Sequence, residues 1–183
     1  MDASAPAITP RSRMEEILRA YPGAQRALFR RYHIGGCSIC AFHAEETLDA
    51  LCARNHQLDP VEVLQHLESA HAEDERMMIE PADLKALLDG GESLKLLDIR
   101  TREEWEAVHL EGAVHMSQET MQDILGQWPR EGLLVVHDHQ GGQCLDAAAY
   151  FQGQGFQNVR CLRGGIDAWA RLIDHALPRY ELA

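Results

Sequence analysis

Two kinds of hydrophobic periodicity divide this 183-residue chain. From residue 13 to residue 72 the apolar side chains recur at helical spacing, and no short continuous apolar run suggests a strand. Met14, Ile17 and Leu18 predict a short helix ending near Tyr21-Pro22-Gly23, and Pro22 suits the start of a second through Ala27, Leu28 and Phe29. Ile34-Gly35-Gly36 breaks that helix. Leu48, Leu51 and Cys52, at i, i+3 and i+4, predict a third. Asp59-Pro60 opens a fourth, whose apolar face is Val61, Val63, Leu64 and Leu67. The expected layout is a disordered N-terminus over 1–12, a helical domain over 13–72, a linker at 73–76 within the polar stretch 69–76, and a second domain over 77–183.

From Met77 the pattern changes to short apolar runs alternating with amphipathic segments. Strands are predicted at Met77–Glu80, Leu94–Ile99, Ala113–Met116, Leu133–His137 and Val159–Leu162. Helices are predicted at Pro81–Leu88, Arg102–His109, Ser117–Gln127, Leu145–Gln154 and Ile166–Ile173. Strands that are apolar on both faces and separated by helices predict an α/β fold, a parallel sheet flanked by helices, preceded by the small all-α domain.

Composition narrows the partners more than it informs the fold. The formal net charge of −12 argues against nucleic acid or an anionic membrane as a partner, because both require basic surface. No apolar run approaches the roughly 20 residues of a membrane-spanning helix. The first ten residues lack the pattern of a secretory signal, so a cytoplasmic location is expected. In that compartment Cys37, Cys40, Cys52, Cys144 and Cys161 point to redox chemistry, metal or buried thiols rather than a disulfide framework. The Arg26, Arg30 and Arg31 face reads as a solvated helix surface.

Several spaced motifs in the second region carry a resemblance to a known family. They are Leu97-Asp98-Ile99-Arg100 followed by Glu103-Glu104-Trp105; His109-Leu110-Glu111-Gly112-Ala113; Gly155-Phe156 with Asn158-Val159; and Gly164-Gly165-Ile166-Asp167-Ala168-Trp169. In order and spacing these resemble the rhodanese family of sulfurtransferases over residues 76–180. The ending Leu177-Pro178-Arg179-Tyr180 is similar to tails of rhodanese modules fused to ubiquitin-like activating enzymes. Taken singly, Asp98, Arg100 and Glu104 read as a fold-stabilising ion-pair cluster, His109 as fixing a turn, and Phe156 and Trp169 as core aromatics.

The resemblance implies a nucleophilic loop of the form Cys-x-x-Gly-x-Arg-Ser between a strand and a helix. Here the loop reads Asp138-His139-Gln140-Gly141-Gly142-Gln143-Cys144. Aligned on Gly141, Asp138 takes the place of the attacking cysteine, Gln143 that of the anion-binding arginine and Cys144 that of the serine. A carboxylate at the point where backbone amides converge accepts their hydrogen bonds and stays ionised, but it carries no transferable sulfur. Thiosulfate sulfurtransferase activity is therefore not expected. Two further readings of the loop stay open. In one, Cys144 at a helix start, where the dipole lowers a thiol pKa, and Cys161 at the next strand end form a displaced redox or persulfide site; the plainer and favoured alternative is that Cys144 substitutes for serine and Cys161 is a small buried residue. A metal held by Asp138 with His139 or Asp98 is the other.

The first region resembles the hybrid-cluster-protein-associated redox disulfide family. Tyr21-Pro22, Gly36, Cys37-Ser38-Ile39-Cys40, Glu46-Thr47-Leu48 and the segment from Asp59 to Leu67 carry that resemblance. It implies that Cys37 and Cys40 act as a redox dithiol, which cysteines at i, i+3 can also do on geometric grounds. Their spacing with Cys52 and His56, with His43 as a spare donor, also fits zinc or iron–sulfur ligation. Against metal, Cys52 falls on an apolar helix face. The reading is a redox or sulfur-handling accessory protein with a protein partner in sulfur or redox metabolism and no favoured cofactor; the alternatives are a sulfurtransferase using Cys144 as a displaced persulfide site and a non-catalytic interaction protein with a zinc-stabilised helical domain. Its rhodanese-like domain is expected to be catalytically degenerate.

Overall fold

The computed structural model describes residues 7–35 and 42–180. Cys37 and Cys40, and with them the expected dithiol or metal pair, lie outside the described residues. The chain divides into two compact units, Met1–Arg76 and Met77–Ala183. Among the described residues no helix is long and apolar enough to cross a membrane.

The first unit contains α1 (Met14–Ala20), α2 (Ala24–Tyr32), α3 (Leu48–Arg54) and α4 (Pro60–Met77). Its core gathers Met14, Ile17, Leu28, Leu48, Leu51, Cys52, Val63 and Leu67. Asp59 caps α4, its carboxylate accepting the Val61 N–H at 2.9 Å. Four expectations need correction. Residues 7–12 are ordered rather than disordered: the carbonyls of Pro10 and Ser12 accept the N–H groups of Asp49 and Leu48. Residues 73–76 are part of α4, because nothing between Ser69 and Arg76 breaks a helix. Val61 is exposed rather than on the apolar face. Arg26 is not solvated; it forms a largely buried ion pair with Asp74.

The second unit is a five-stranded, wholly parallel sheet in the order β1 (Met78–Ile79), β5 (Asn158–Leu162), β4 (Leu133–His137), β2 (Leu94–Asp98), β3 (Ala113–His115). Helices cover both faces, as buried parallel strands require. One face packs on α7 (Gln118–Gln127) and α8 (Cys144–Gly153) through Leu97, Val136, Ile124, Ala148 and Phe151. The other packs on α5 (Pro81–Asp89) and α9 (Gly165–Leu172) through Leu96, Val135, Leu84, Ile166 and Trp169. A short α6 (Arg102–Ala107) follows β2. The chain leaves β2 toward β3 on one side and returns to β4 on the other. This change of direction opens a crevice at the carboxyl ends of β2 and β4, where Asp98 lies in register with His137. The α/β expectation, with its flanking helices and preceding all-α region, holds at the level of every strand to within a residue or two.

Candidate functional site

The loop after β4 is built around one carboxylate. Asp138 is 6% exposed, and its Oδ1 accepts the N–H of Gly141 while its Oδ2 accepts those of Gln143 and, at 3.1 Å, Cys144. These amides point inward because Gly141 sits at φ +87° and α8 begins at Cys144. The loop is held from behind by α9. Ile166 and Asp167 donate their N–H groups to the carbonyls of Asp138 and His139, each at 3.0 Å. The Gly164-Gly165 pair makes that approach geometrically feasible. A Cβ on Gly165 would lie 2.5 Å from both carbonyl oxygens, and one on Gly141 would lie 3.0 Å from the Gly164 nitrogen.

A second group of polar side chains lies on the other side of the sheet, as strand alternation dictates. The Arg100 guanidinium donates to Asp98 from Nε and Nη2, to the Val108 carbonyl at 2.6 Å and to the Tyr180 hydroxyl at 2.7 Å. Tyr180 in turn donates to Glu104 at 2.7 Å, and Glu104 closes a capping box with Thr101 at the start of α6. Burial alone would raise the Asp98 pKa, but the Arg100 hydrogen bonds and neighbouring positive charge bring it below the ordinary carboxylate value. Burial pushes His137 down, with its Nε2 3.8 Å from Asp98. Neither His137 nor His139 has a hydrogen-bond partner at either ring nitrogen. The His139 ring packs against Tyr180 at 4.4 Å between centroids.

A cavity of about 340 Å³ opens at this point, lined by Ile99, Arg100, Thr101, Glu104, Asp138, His139, Gln140, Gly142 and Gln143. The sequence singled out the Asp138 loop and Asp98, Arg100 and Glu104, and the structure brings both sets to one crevice. In the sequence Tyr180 stands out only as the last residue of the Leu177-Pro178-Arg179-Tyr180 ending. No local pattern announces that its hydroxyl joins Arg100 to Glu104, because the contact spans most of the second unit.

Cys144 and Cys161 are neighbours, as their positions at α8 and β5 suggested, and both are wholly buried. The expected lowering of the Cys144 pKa by the helix start does not occur. The hydrogen bond with the Cys161 thiol, burial, and the charges of Cys161 and Asp138 push it well up. Cys52 is likewise pushed up to about 11, by burial and then by Asp49 and Asp59. It lies in the helical core while His56 and His43 are exposed. Among the described residues no three His, Cys, Asp or Glu side chains gather as a metal site, and Asp138 points away from the face that holds His137 and Asp98. His109 donates its Nδ1–H to the Trp105 carbonyl at 2.8 Å and fixes its turn, and Phe156 and Trp169 are core residues.

Residues 80–172, just over half of the chain, match the rhodanese-like domain, and the chain belongs to that family. It is 31% identical over 104 residues to the probable adenylyltransferase/sulfurtransferase MoeZ of Mycobacterium tuberculosis, covering 56% of this chain and 26% of that protein. It is 32% identical over 91 residues to the thiosulfate sulfurtransferase GlpE of Pseudomonas syringae, covering 50% of this chain and 84% of that one. The crystal structure of a rhodanese-like domain protein from Staphylococcus aureus superposes with a TM-score of 0.46 at 22% identity, over 57% of this chain and 98% of the other. The chain thus spans about a quarter of the length of MoeZ. Family membership and the sulfurtransferase relatives support a sulfur-handling role.

Proposed function

We propose that this protein is a sulfur-handling redox accessory protein whose rhodanese-like domain does not transfer sulfur and serves instead to dock a partner or hold a small ligand. Asp138 stands where the family's nucleophilic cysteine would stand. The observation that carries this reading is the set of N–H donors from Gly141, Gln143 and Cys144 on the Asp138 carboxylate. A thiolate and its persulfide would need those same donors, and a carboxylate holds them permanently while repelling an anionic sulfur donor. Cys144 is a poor substitute nucleophile, because it is wholly buried and its thiol is held protonated.

The chemistry then falls to Cys37 and Cys40. In the reduced form one thiolate attacks a disulfide of a protein partner, giving a mixed disulfide and releasing one partner thiolate. The second cysteine attacks the mixed bond, leaving a Cys37–Cys40 disulfide and a reduced partner. Electrons and sulfur atoms balance within the exchange, and no metal is required. No resident cofactor is part of this reading.

Mass mapping of the anaerobically purified protein before and after reductant tests it, alongside a thiosulfate–cyanide assay. A Cys37–Cys40 disulfide that reductant opens, with no thiocyanate formed, is the expected result. Thiocyanate formation, persulfide on Cys144, or bound zinc or iron on the cysteine pair would each defeat the reading.

A further inference from the structure

We infer that the cavity beside the Asp138 loop is a site for a small organic cation, a guanidinium or alkylammonium group, rather than for an oxyanion. The inference rests on the preceding reading that no sulfur transfer runs through this loop, and it assigns the ligand class of that same cavity.

The argument is an inventory of donors and acceptors. An anion site offers free N–H groups, and here the strong ones are already committed inside the protein. The loop amides of Gly141, Gln143 and Cys144 donate to Asp138. The Arg100 guanidinium donates to Asp98, to the Val108 carbonyl and to Tyr180. Among the charged groups, what the wall retains is acceptor capacity; the carboxamides of Gln140 and Gln143 both donate and accept and favour neither sign of ligand. Each carboxylate oxygen has about two lone-pair sites. The Asp138 Oδ1 accepts from Gly141 and the Glu104 Oε1 from Tyr180, so each keeps further capacity.

The charge count points the same way. Arg100 is neutralised by Asp98 in direct contact, which leaves Glu104 and Asp138 as the charges not balanced by a cationic side chain on the lining. The α8 N-terminus offsets only part of the Asp138 charge. Gln143 adds no charge at the mouth.

An independent observation comes from His139. It lines the cavity at 6% exposure, and neither ring nitrogen has a partner. One of these nitrogens carries an N–H and the other a lone pair, so a buried imidazole on this wall is open to a ligand hydrogen bond. A ligand that satisfies the Glu104 and Asp138 carboxylates must bring positive charge and N–H groups, while His139 serves a donor or an acceptor. A volume of about 340 Å³ admits a small molecule or the end of one arginine side chain.

The full chain, isotopically labelled, is titrated with methylguanidinium chloride and separately with sodium thiosulfate at constant ionic strength. The amide resonances of Thr101, Gly141, Gly142 and Gln143 report binding. The expected result is a saturable shift with methylguanidinium alone. Gln143→Lys, a change at an exposed position, should weaken it roughly fivefold, and Glu104→Gln should weaken it to a similar degree. A peptide bearing a single arginine that binds more tightly than methylguanidinium would assign the cation to a protein partner; the reverse order would assign it to a free small molecule. Saturable thiosulfate binding at these amides, or methylguanidinium binding unmoved by both variants, overturns the inference. Thiosulfate that binds without thiocyanate being formed from cyanide sinks the cation site alone, whereas turnover sinks the proposed function with it.

Discussion

Arg100 reaches back two residues to hold Asp98 in a buried bidentate pair, with Nε 2.9 Å from Oδ1 and Nη2 2.6 Å from Oδ2. Neither side chain is more than 2% exposed. The pair sits at the end of β2, where the chain turns toward α6, so it does more than neutralise charge. Through its remaining N–H groups Arg100 also fixes the Val108 carbonyl and Tyr180, and thereby one wall of the cavity.

Removing one partner leaves the other charge buried and unpaired. Arg100→Met is expected to destabilise the second unit by about 3–5 kcal/mol, read as a drop in urea midpoint. A loss below roughly 1 kcal/mol would mean that water reaches Asp98 in solution, and that wall of the cavity would then be open.

The same pair sets a pH dependence. The folded pKa of Asp98 is depressed, burial raising it but the Arg100 hydrogen bonds and nearby positive charge lowering it further. Its contribution is therefore fully present above the unfolded carboxylate value near ~3.9 and is lost as pH falls through the folded value. The stability gap between the protein and Asp98→Asn should be widest at neutral pH and narrow progressively under acid. A gap that widens toward low pH would contradict the sign.

Cys52, Cys144 and Cys161 are all free and buried, and Cys52 and Cys144 have raised pKa values. Alkylation follows the thiolate and its exposure. Iodoacetamide at neutral pH should leave these three unlabelled in the folded protein and label all three in urea, with peptide mapping as the readout. Rapid native labelling of Cys144 would restore it as a nucleophile.

Gly165 occupies a left-handed conformation at φ +59°, and its α-hydrogen faces the carbonyls of Asp138 and His139. Gly165→Ala adds steric conflict to an unfavourable backbone region, which alone costs about 1–2 kcal/mol. The expected result is a loss at least that large, together with displaced amide resonances for Gly141 and Gln143. An unchanged melting profile would mean that the loop retreats from α9 freely.

How far these features could be read from sequence depends on the range of the interaction. The sheet was legible because Leu94–Ile99 and Leu133–His137 are apolar on both faces between helical segments, a local signal. The Asp138 amide cage was legible in outline because a glycine-bearing turn between strand and helix dictates where the N–H groups point. The protonated state of Cys144 was not. Helix placement predicted a lowered pKa, but the thiol of Cys161, a long-range neighbour, and complete burial outweigh it. Arg26 was misread for the same reason: its partner Asp74 lies 48 residues away, in a stretch whose polarity suggested a linker.

The amide cage around Asp138 makes one reciprocal prediction. If the Gly141, Gln143 and Cys144 N–H groups form an anion cradle that Asp138 merely occupies, Asp138→Cys should place a thiolate in it without changing the backbone. That thiolate would be stabilised by three charge-assisted hydrogen bonds and the α8 dipole, so its pKa should fall below the ordinary cysteine value of about 8.5. Incubation with thiosulfate should then add the mass of one sulfur atom to the variant and none to the parent. Turnover should remain slow, because Gln143 gives the incoming anion no charge to bind. Adding Gln143→Arg should raise it, through tighter thiosulfate binding and a lower KM. An Asp138→Cys protein that alkylates no faster than an unperturbed thiol would show that the three amides converge on the carboxylate only because the carboxylate draws them in.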